Sequence, residues 1–412
     1  LATNVPQPSF PNIPTNIVLL NTPITPVPGN TPPTIALDGT LPEGTNGDTS
    51  LLNHLVYESS LNDIGTDPSS TNESVNGTFT VGDADGLVDI TQILISETGG
   101  TNLTLTFNGA GLTFEDFQAN NPNLTFTTTH GTVTITGYSV NENGEGVFYY
   151  TYDLLIPANN NSSAVSDSFT ISVSDGKSDP IPAATVKIGI VDDAPSVDVT
   201  TNANAATALG SLRLDETVGT DRKASGETST TTDASDESAG VLARATSSVS
   251  GGLAGLFGVS VNAGADGEAS GSRTSSFSLS LSAEGAATNL SATNGGAITL
   301  QSGTSANLGT IEGVDATGDV VFRIAVVNDA NGNPQLQTTL YEAIRHSNNT
   351  SSFDEDLALA LTGSNKLQLA YTVSMADGDG DTASDTSYVD LATAAGSAFV
   401  FADDGPVVNV VA

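Results

Sequence analysis

Phe169-Thr170-Ile171-Ser172-Val173-Ser174-Asp175-Gly176, followed by Val186-Lys187-Ile188-Gly189-Ile190-Val191-Asp192-Asp193-Ala194-Pro195, is the stretch whose reading decides the fold. Apolar and polar residues alternate with period two on both sides of an acidic turn, the pattern of strands with one buried face. The same pattern recurs upstream. Thr78-Phe79-Thr80-Val81 breaks at Gly82-Asp83-Ala84-Asp85-Gly86, Leu103-Thr104-Leu105-Thr106-Phe107 at Asn108-Gly109, and Thr132-Val133-Thr134-Ile135-Thr136 at Gly137. Residues 147–156 read as a longer strand in which alternate members of Phe148-Tyr149-Tyr150-Tyr152 fill a core. One helical turn is expected at 114–118. Short strands separated by such turns predict an all-β chain of Ig-like or cadherin-like sandwiches.

The opening stretch has a counterpart near the other end. Val373-Ser374-Met375-Ala376-Asp377-Gly378-Asp379-Gly380-Asp381 leads through a further strand to Phe401-Ala402-Asp403-Asp404-Gly405-Pro406. Each copy has a strand, an acidic turn, another strand and an Asp-Asp-x-Pro exit, which is the self-similarity of a tandem array. The organisation expected is a Pro-rich linker or edge segment over 1–33, a first sandwich over 34–194, and a larger sandwich over 195–412. The second is elaborated by a Gly/Ala/Ser/Thr-rich insertion at about 220–275, only partly ordered. Residues 338–344 read as a second helical turn.

Composition excludes several functions. Of 412 residues, 47 are acidic and 10 basic, a formal charge of -37, and no Lys or Arg precedes Lys177. Nucleic acid and anionic membrane surfaces are therefore excluded as partners. No apolar run is long enough to insert directly into a membrane as a helix. Self-repulsion at this charge needs a remedy, and charged residues make up only 14% of the chain, too few for a uniformly acid-coated surface. Cysteine is absent, so an extracellular fold must be stapled by something other than disulfides. The start, Leu1-Ala2-Thr3-Asn4, carries no signal-peptide pattern and reads as part of something longer.

The acids are clustered in turns. Calcium takes six to eight oxygen ligands in loose geometry, and Asp at alternate positions with Gly between lets a turn curl around one ion. Asp377, Asp379 and Asp381 have this spacing, as do Asp83 and Asp85 with Asp89 close behind, and Asp175 is a weaker candidate. An EF-hand is excluded at Asp377, because the twelfth position is Tyr388. Ordinary Asp-Gly hairpin turns would have the same appearance. At the exits, Asp192 and Asp193 would be neutralised by an ion shared with Asp215 or Glu216, and Asp403-Asp404 pose the same problem. A turn-capping Asp beside a solvated one is the alternative. His54, His130 and His346 lack metal-ligand spacing and are read as structural. Neither a nucleophile elbow, a P-loop nor a distinctive carboxylate pair is present, so no enzyme is expected.

Thr80 to Asp89, His130-Gly131-Thr132-Val133, Tyr149 to Asp153 and Phe169 to Asp175 resemble the VCBS and cadherin-like repeats of giant bacterial adhesins. Leu214-Asp215-Glu216-Thr217-Val218-Gly219, Ala297-Ile298-Thr299-Leu300, Tyr341 to His346, Asp377 to Ala383 and Phe401 to Pro406 resemble a repeated domain of unknown function found in type I-secreted RTX-type adhesins. The resemblance implies a secreted, calcium-binding stalk on the bacterial cell surface, joined to neighbouring repeats of the same long chain and supporting adhesion and biofilm formation. The Gly-Gly-x-Gly-x-Asp nonapeptides of an RTX tract are missing. Two alternatives remain: a module that binds a glycan or peptide itself, or a subunit of a self-assembling surface filament.

Overall fold

The computed structural model describes residues 29–48, 51–97, 102–107, 113–160, 163–177, 182–216, 240–346 and 355–403. Most of the Pro-rich segment (1–28), the first part of the insertion (220–239) and Asp404 lie outside these residues. The chain divides into two units. The first holds 1–63 and 67–192, the second 64–66 and 193–412.

In the first unit the strands are β1 (Thr34–Leu37), β2 (His54–Tyr57), β3 (Ser74–Gly82), β4 (Gln92–Ser96) and β5 (Asn102–Thr106). After a helix, α1 (Phe114–Asn120), come β6 (Thr125–Thr127), β7 (Gly131–Val140), β8 (Gly146–Leu154), β9 (Val165–Ser174) and β10 (Ala183–Val191). They form two sheets, ordered β1-β3-β8-β7-β6 and β2-β10-β9-β4-β5. Phe148, Tyr150 and Tyr152 of β8 point inward and are buried, whereas Tyr149 between them is exposed. Phe148 stacks on Phe79 of β3 at 4.9 Å. Tyr150 meets Phe169 of the opposite sheet edge-on at 5.6 Å, so the rings join the two layers of a sandwich. The helix extends two residues past the expected turn. Thr113 and Asp116 form a capping box at its start, and buried Phe117 anchors it.

In the second unit follow β11 (Ser196–Thr201), the short helix α2 (Ala205–Leu209), β12 (Leu212–Asp215), β13 (Ala243–Thr246), β14 (Phe257–Asn262) and β15 (Thr274–Leu281). Next are β16 (Ala286–Ala292), β17 (Gly296–Ser302), β18 (Ile311–Val314), β19 (Val320–Asn328) and β20 (Pro334–Leu340). The last are β21 (Asp356–Ala358), β22 (Leu367–Ala376), β23 (Thr382–Ala392) and β24 (Phe399–Ala402). Among the described residues they form sheets ordered β13-β20-β19-β18-β17-β16, β12-β24-β21, β15-β22-β23 and β11-β14. One core joins them. Phe322 of β19 packs on Phe401 of β24, and Tyr371 of β22 stacks on Phe277 of β15.

One expectation changes. Residues 338–344 are not helical: Thr338 and Thr339 continue β20 between β13 and β19, and the segment beyond Leu340 is a loop. Their β-branched side chains favour strand, and pairing on both sides outweighs a short apolar spacing that also suits a helix. The described part of the insertion (240–275) carries β13, β14 and the start of β15, with Leu253 and Leu256 fully buried.

Candidate metal centre

The β22–β23 hairpin turns through Asp377-Gly378-Asp379-Gly380-Asp381. Asp377 Oδ1 accepts the N–H groups of Gly380 and Asp381 at 3.0 and 2.8 Å, so half of this carboxylate shapes the turn. Gly380 supplies the positive φ of 110° that the turn needs. The other oxygen, Asp377 Oδ2, is buried with no hydrogen-bond partner among the described residues, and Asp377 itself is fully buried. Oxygens of Asp377, Asp379 and Asp381 all lie within 4.8 Å of one another. Burial, followed by the Asp379 carboxylate, pushes the Asp377 carboxyl above its ordinary range despite the two turn N–H groups.

A neighbouring carboxylate comes from a residue that the spacing along the chain does not single out. Asp266 lies on the loop between β14 and β15, and its Oδ2 is also buried without a hydrogen-bond partner. Burial, then the charges of Asp379, Asp377, Asp193 and Asp381, push its pKa up to about 6. Two glycines permit close backbone approaches of this loop, Gly378 in the turn and Gly264 beside Asp193. A Cβ on Gly378 would sit 2.5 Å from the Asp266 carbonyl oxygen, and one on Gly264 would sit 1.9 Å from that of Asp193. The local signal was Ala265-Asp266-Gly267, the same tripeptide as Ala84-Asp85-Gly86 and Ala376-Asp377-Gly378.

Several carboxylates with raised pKa and unsatisfied buried oxygens form an environment that disfavours their own charge. They match the oxygen donors a hard divalent cation requires. The donor set fits calcium: carboxylates and nearby carbonyls, with no nitrogen or sulfur ligand.

The first unit has a smaller group. Asp83, Asp89 and Asp175 bring carboxylate oxygens within 4.8 Å of one another. Asp83 Oδ2 is buried without a hydrogen-bond partner, and burial followed by its acidic neighbours raises the Asp83 pKa despite a bond from the Asp85 N–H. Here a cation is already present: Lys177 Nζ contacts Asp89 Oδ2 at 2.5 Å. Asp85 is turned away from the group, accepting from Thr31 N and Oγ1 at 2.6 and 2.8 Å. Strand pairing explains the exchange. Gln92 of β4 lies opposite Ser174 of β9, which brings the next residue of β9, Asp175, to the loop before β4. Asp85→Ala should therefore leave the calcium affinity of this unit within roughly twofold of native, measured by calorimetric titration.

The exit acids divide differently from the expected pairing. Asp192 ends the first unit and Asp193 opens the second. Asp193 is buried, and its oxygens accept from Thr66 N and Oγ1, within the short stretch that belongs with the second unit. Asp215 pairs with Arg213 at 3.0 Å. Glu216 instead gathers with His346 and Asp403. Among the described residues, Asp193 is in no candidate metal group with Asp215 or Glu216.

A family model described as a domain of unknown function (DUF5801) matches residues 211–391. No curated protein matches the chain. Among solved structures, bovine butyrophilin is similar with a TM-score of 0.19 and 7% identity, over 81% of this chain and 93% of that one. The BcpA major pilin subunit of Bacillus cereus is similar with a TM-score of 0.20 and 10% identity, over 91% of this chain and 71% of that one. No described helix is long and apolar enough to cross a membrane.

Proposed function

We propose that the chain is a calcium-stabilised, extracellular and non-catalytic structural segment of a bacterial surface adhesin, supporting cell adhesion and biofilm formation. The observation that carries this reading is the group Asp377, Asp379 and Asp381 with Asp266 and Asp193 beside it, in which Asp266 and Asp377 each keep a buried, unsatisfied oxygen. Such a group opposes folding until a cation enters. The double sandwich and the absence of cysteine suit a rigid spacer stapled by ions.

Extracellular modules bind calcium at roughly 10⁻⁴ to 10⁻³ M, near its concentration outside cells. At ten times the dissociation constant each site adds about 1.4 kcal/mol. Inside a cell the same sites are empty, so the chain stays loose until export. Melting the whole chain in millimolar calcium and in EDTA tests the proposal. Each filled site should raise Tm by about 3–6 °C in a unit of this size. Identical melting curves would remove calcium from the account.

A further inference from the structure

The sheet β12-β24-β21 ends in three acids. Asp215 of β12 and Asp356 of β21 both lie opposite Ala402 of β24. The next positions are therefore Glu216, Asp403 and Glu355, side by side across three strands. Backbone bonds confirm the register, with Glu216 N–H donating to Ala402 at 3.1 Å and Asp403 N–H to Glu355 at 3.2 Å. Neighbouring strands are about 4.8 Å apart, and like charges set directly opposite each other are destabilising.

The two faces of this sheet treat their acids differently. On one face Arg213 bonds both Asp356 and Asp215, at 2.9 and 3.0 Å. On the other, the group facing the acids is His346. Its side chain is only 3% exposed, and its Nε2 lies 3.8 Å from Glu216 Oε1. This nitrogen is buried with no hydrogen-bond partner among the described residues, as is Glu355 Oε2. Ligand atoms of Glu216, His346 and Asp403 all fall within 4.8 Å of one another. The Ile344 N–H holds Glu216 Oε1 in place at 2.7 Å, the kind of outer contact that orients a metal ligand.

We propose that Glu216, His346 and Asp403 bind a transition-metal dication of the zinc class, at a site separate from the calcium groups. One imidazole nitrogen with two carboxylates suits zinc, which binds both at about 2.0–2.2 Å. It does not suit calcium, which takes oxygens. Glu355 stands beside the site, able to complete a fourth position or to hold a bound water. The ion would replace like-charge repulsion at the sheet end with a clamp joining β12, β24, β21 and the loop after β20.

The test uses the full chain, stripped with EDTA and refilled with millimolar calcium, then titrated with zinc chloride by equilibrium dialysis. Zinc should still bind, His346→Gln should weaken it by about tenfold or more, and Asp377→Asn should leave it unchanged. Calcium-dependent melting should follow the opposite pattern, reduced in Asp377→Asn and unchanged in His346→Gln, so the two proposals stand or fall separately. Should His346→Gln fail to fold, the wild-type chain labelled with ¹⁵N-histidine decides. Of its three imidazoles, only His346 should shift on zinc addition. Zinc uptake unchanged by His346→Gln, no imidazole shift, or zinc displaced by millimolar calcium would overturn the site.

Discussion

Asp377→Asn should weaken calcium binding by about tenfold or more and yet leave the metal-free protein more stable than the native chain. The two effects share one cause. Asp377 Oδ1 accepts two backbone N–H groups of its own turn, a task an amide oxygen can perform equally well. Oδ2 is buried beside Asp379 with no donor to satisfy it. In EDTA the substitution removes one charge from a repelling group. In calcium it removes a charged ligand from the most deeply buried position. A chemical denaturation series of both proteins, with and without calcium, should show the order of stability reverse. A variant less stable than native in both conditions would mean that the turn needs the carboxylate for its shape alone.

Acidification should likewise act in opposite directions with and without the ion. Asp266 titrates at about 6 in the folded protein, against 3.8 for an ordinary Asp. A folded pKa above the unfolded one means that the folded state holds the proton more tightly. The resulting stability is full below 3.8 and is lost as pH rises through about 6. Asp377 and Asp83 are raised as well and act in the same direction. Carboxyls with lowered pKa, such as Asp329 and Asp385, lose their contribution only below the ordinary Asp range. Metal-free protein should therefore gain stability between pH 7 and 5, by somewhat under about 1 kcal/mol from Asp266 once solvent screening is discounted. The Tm increment from calcium should shrink over the same interval, because protons and calcium compete for the same oxygens. Calorimetry at the two pH values would show both slopes, and a calcium increment that grows on acidification would exclude Asp266 as a ligand.

Strands such as β7, β8 and β9 were legible because one face is buried and alternation leaves a period-two trace. Phe148, Tyr150 and Tyr152 point in and Tyr149 points out, as their spacing requires. The turn expected at 114–118 became α1, and the Thr113–Asp116 capping box that starts it shows only in the structure. Residues 338–344 misled because Leu340 and Ile344 lie one helical turn apart, and only pairing with β13 and β19 resolves the ambiguity. The candidate sites were half legible. Asp377, Asp379 and Asp381 belong to one turn and declare themselves by spacing. Asp266 and His346 reach their groups through sheet topology, and no spacing along the chain encodes which loop a sheet will bring across. Asp85 shows the converse: it has ligand spacing, but Thr31 takes its carboxylate.

The most direct measurement is a crystal structure of the chain grown in millimolar calcium. Density coordinated by oxygens of Asp377, Asp379, Asp381 and Asp266, six to eight ligands at about 2.3–2.6 Å, is the predicted result. A hairpin turn with water alone beside Asp377 Oδ2, in crystals saturated with calcium, would contradict it.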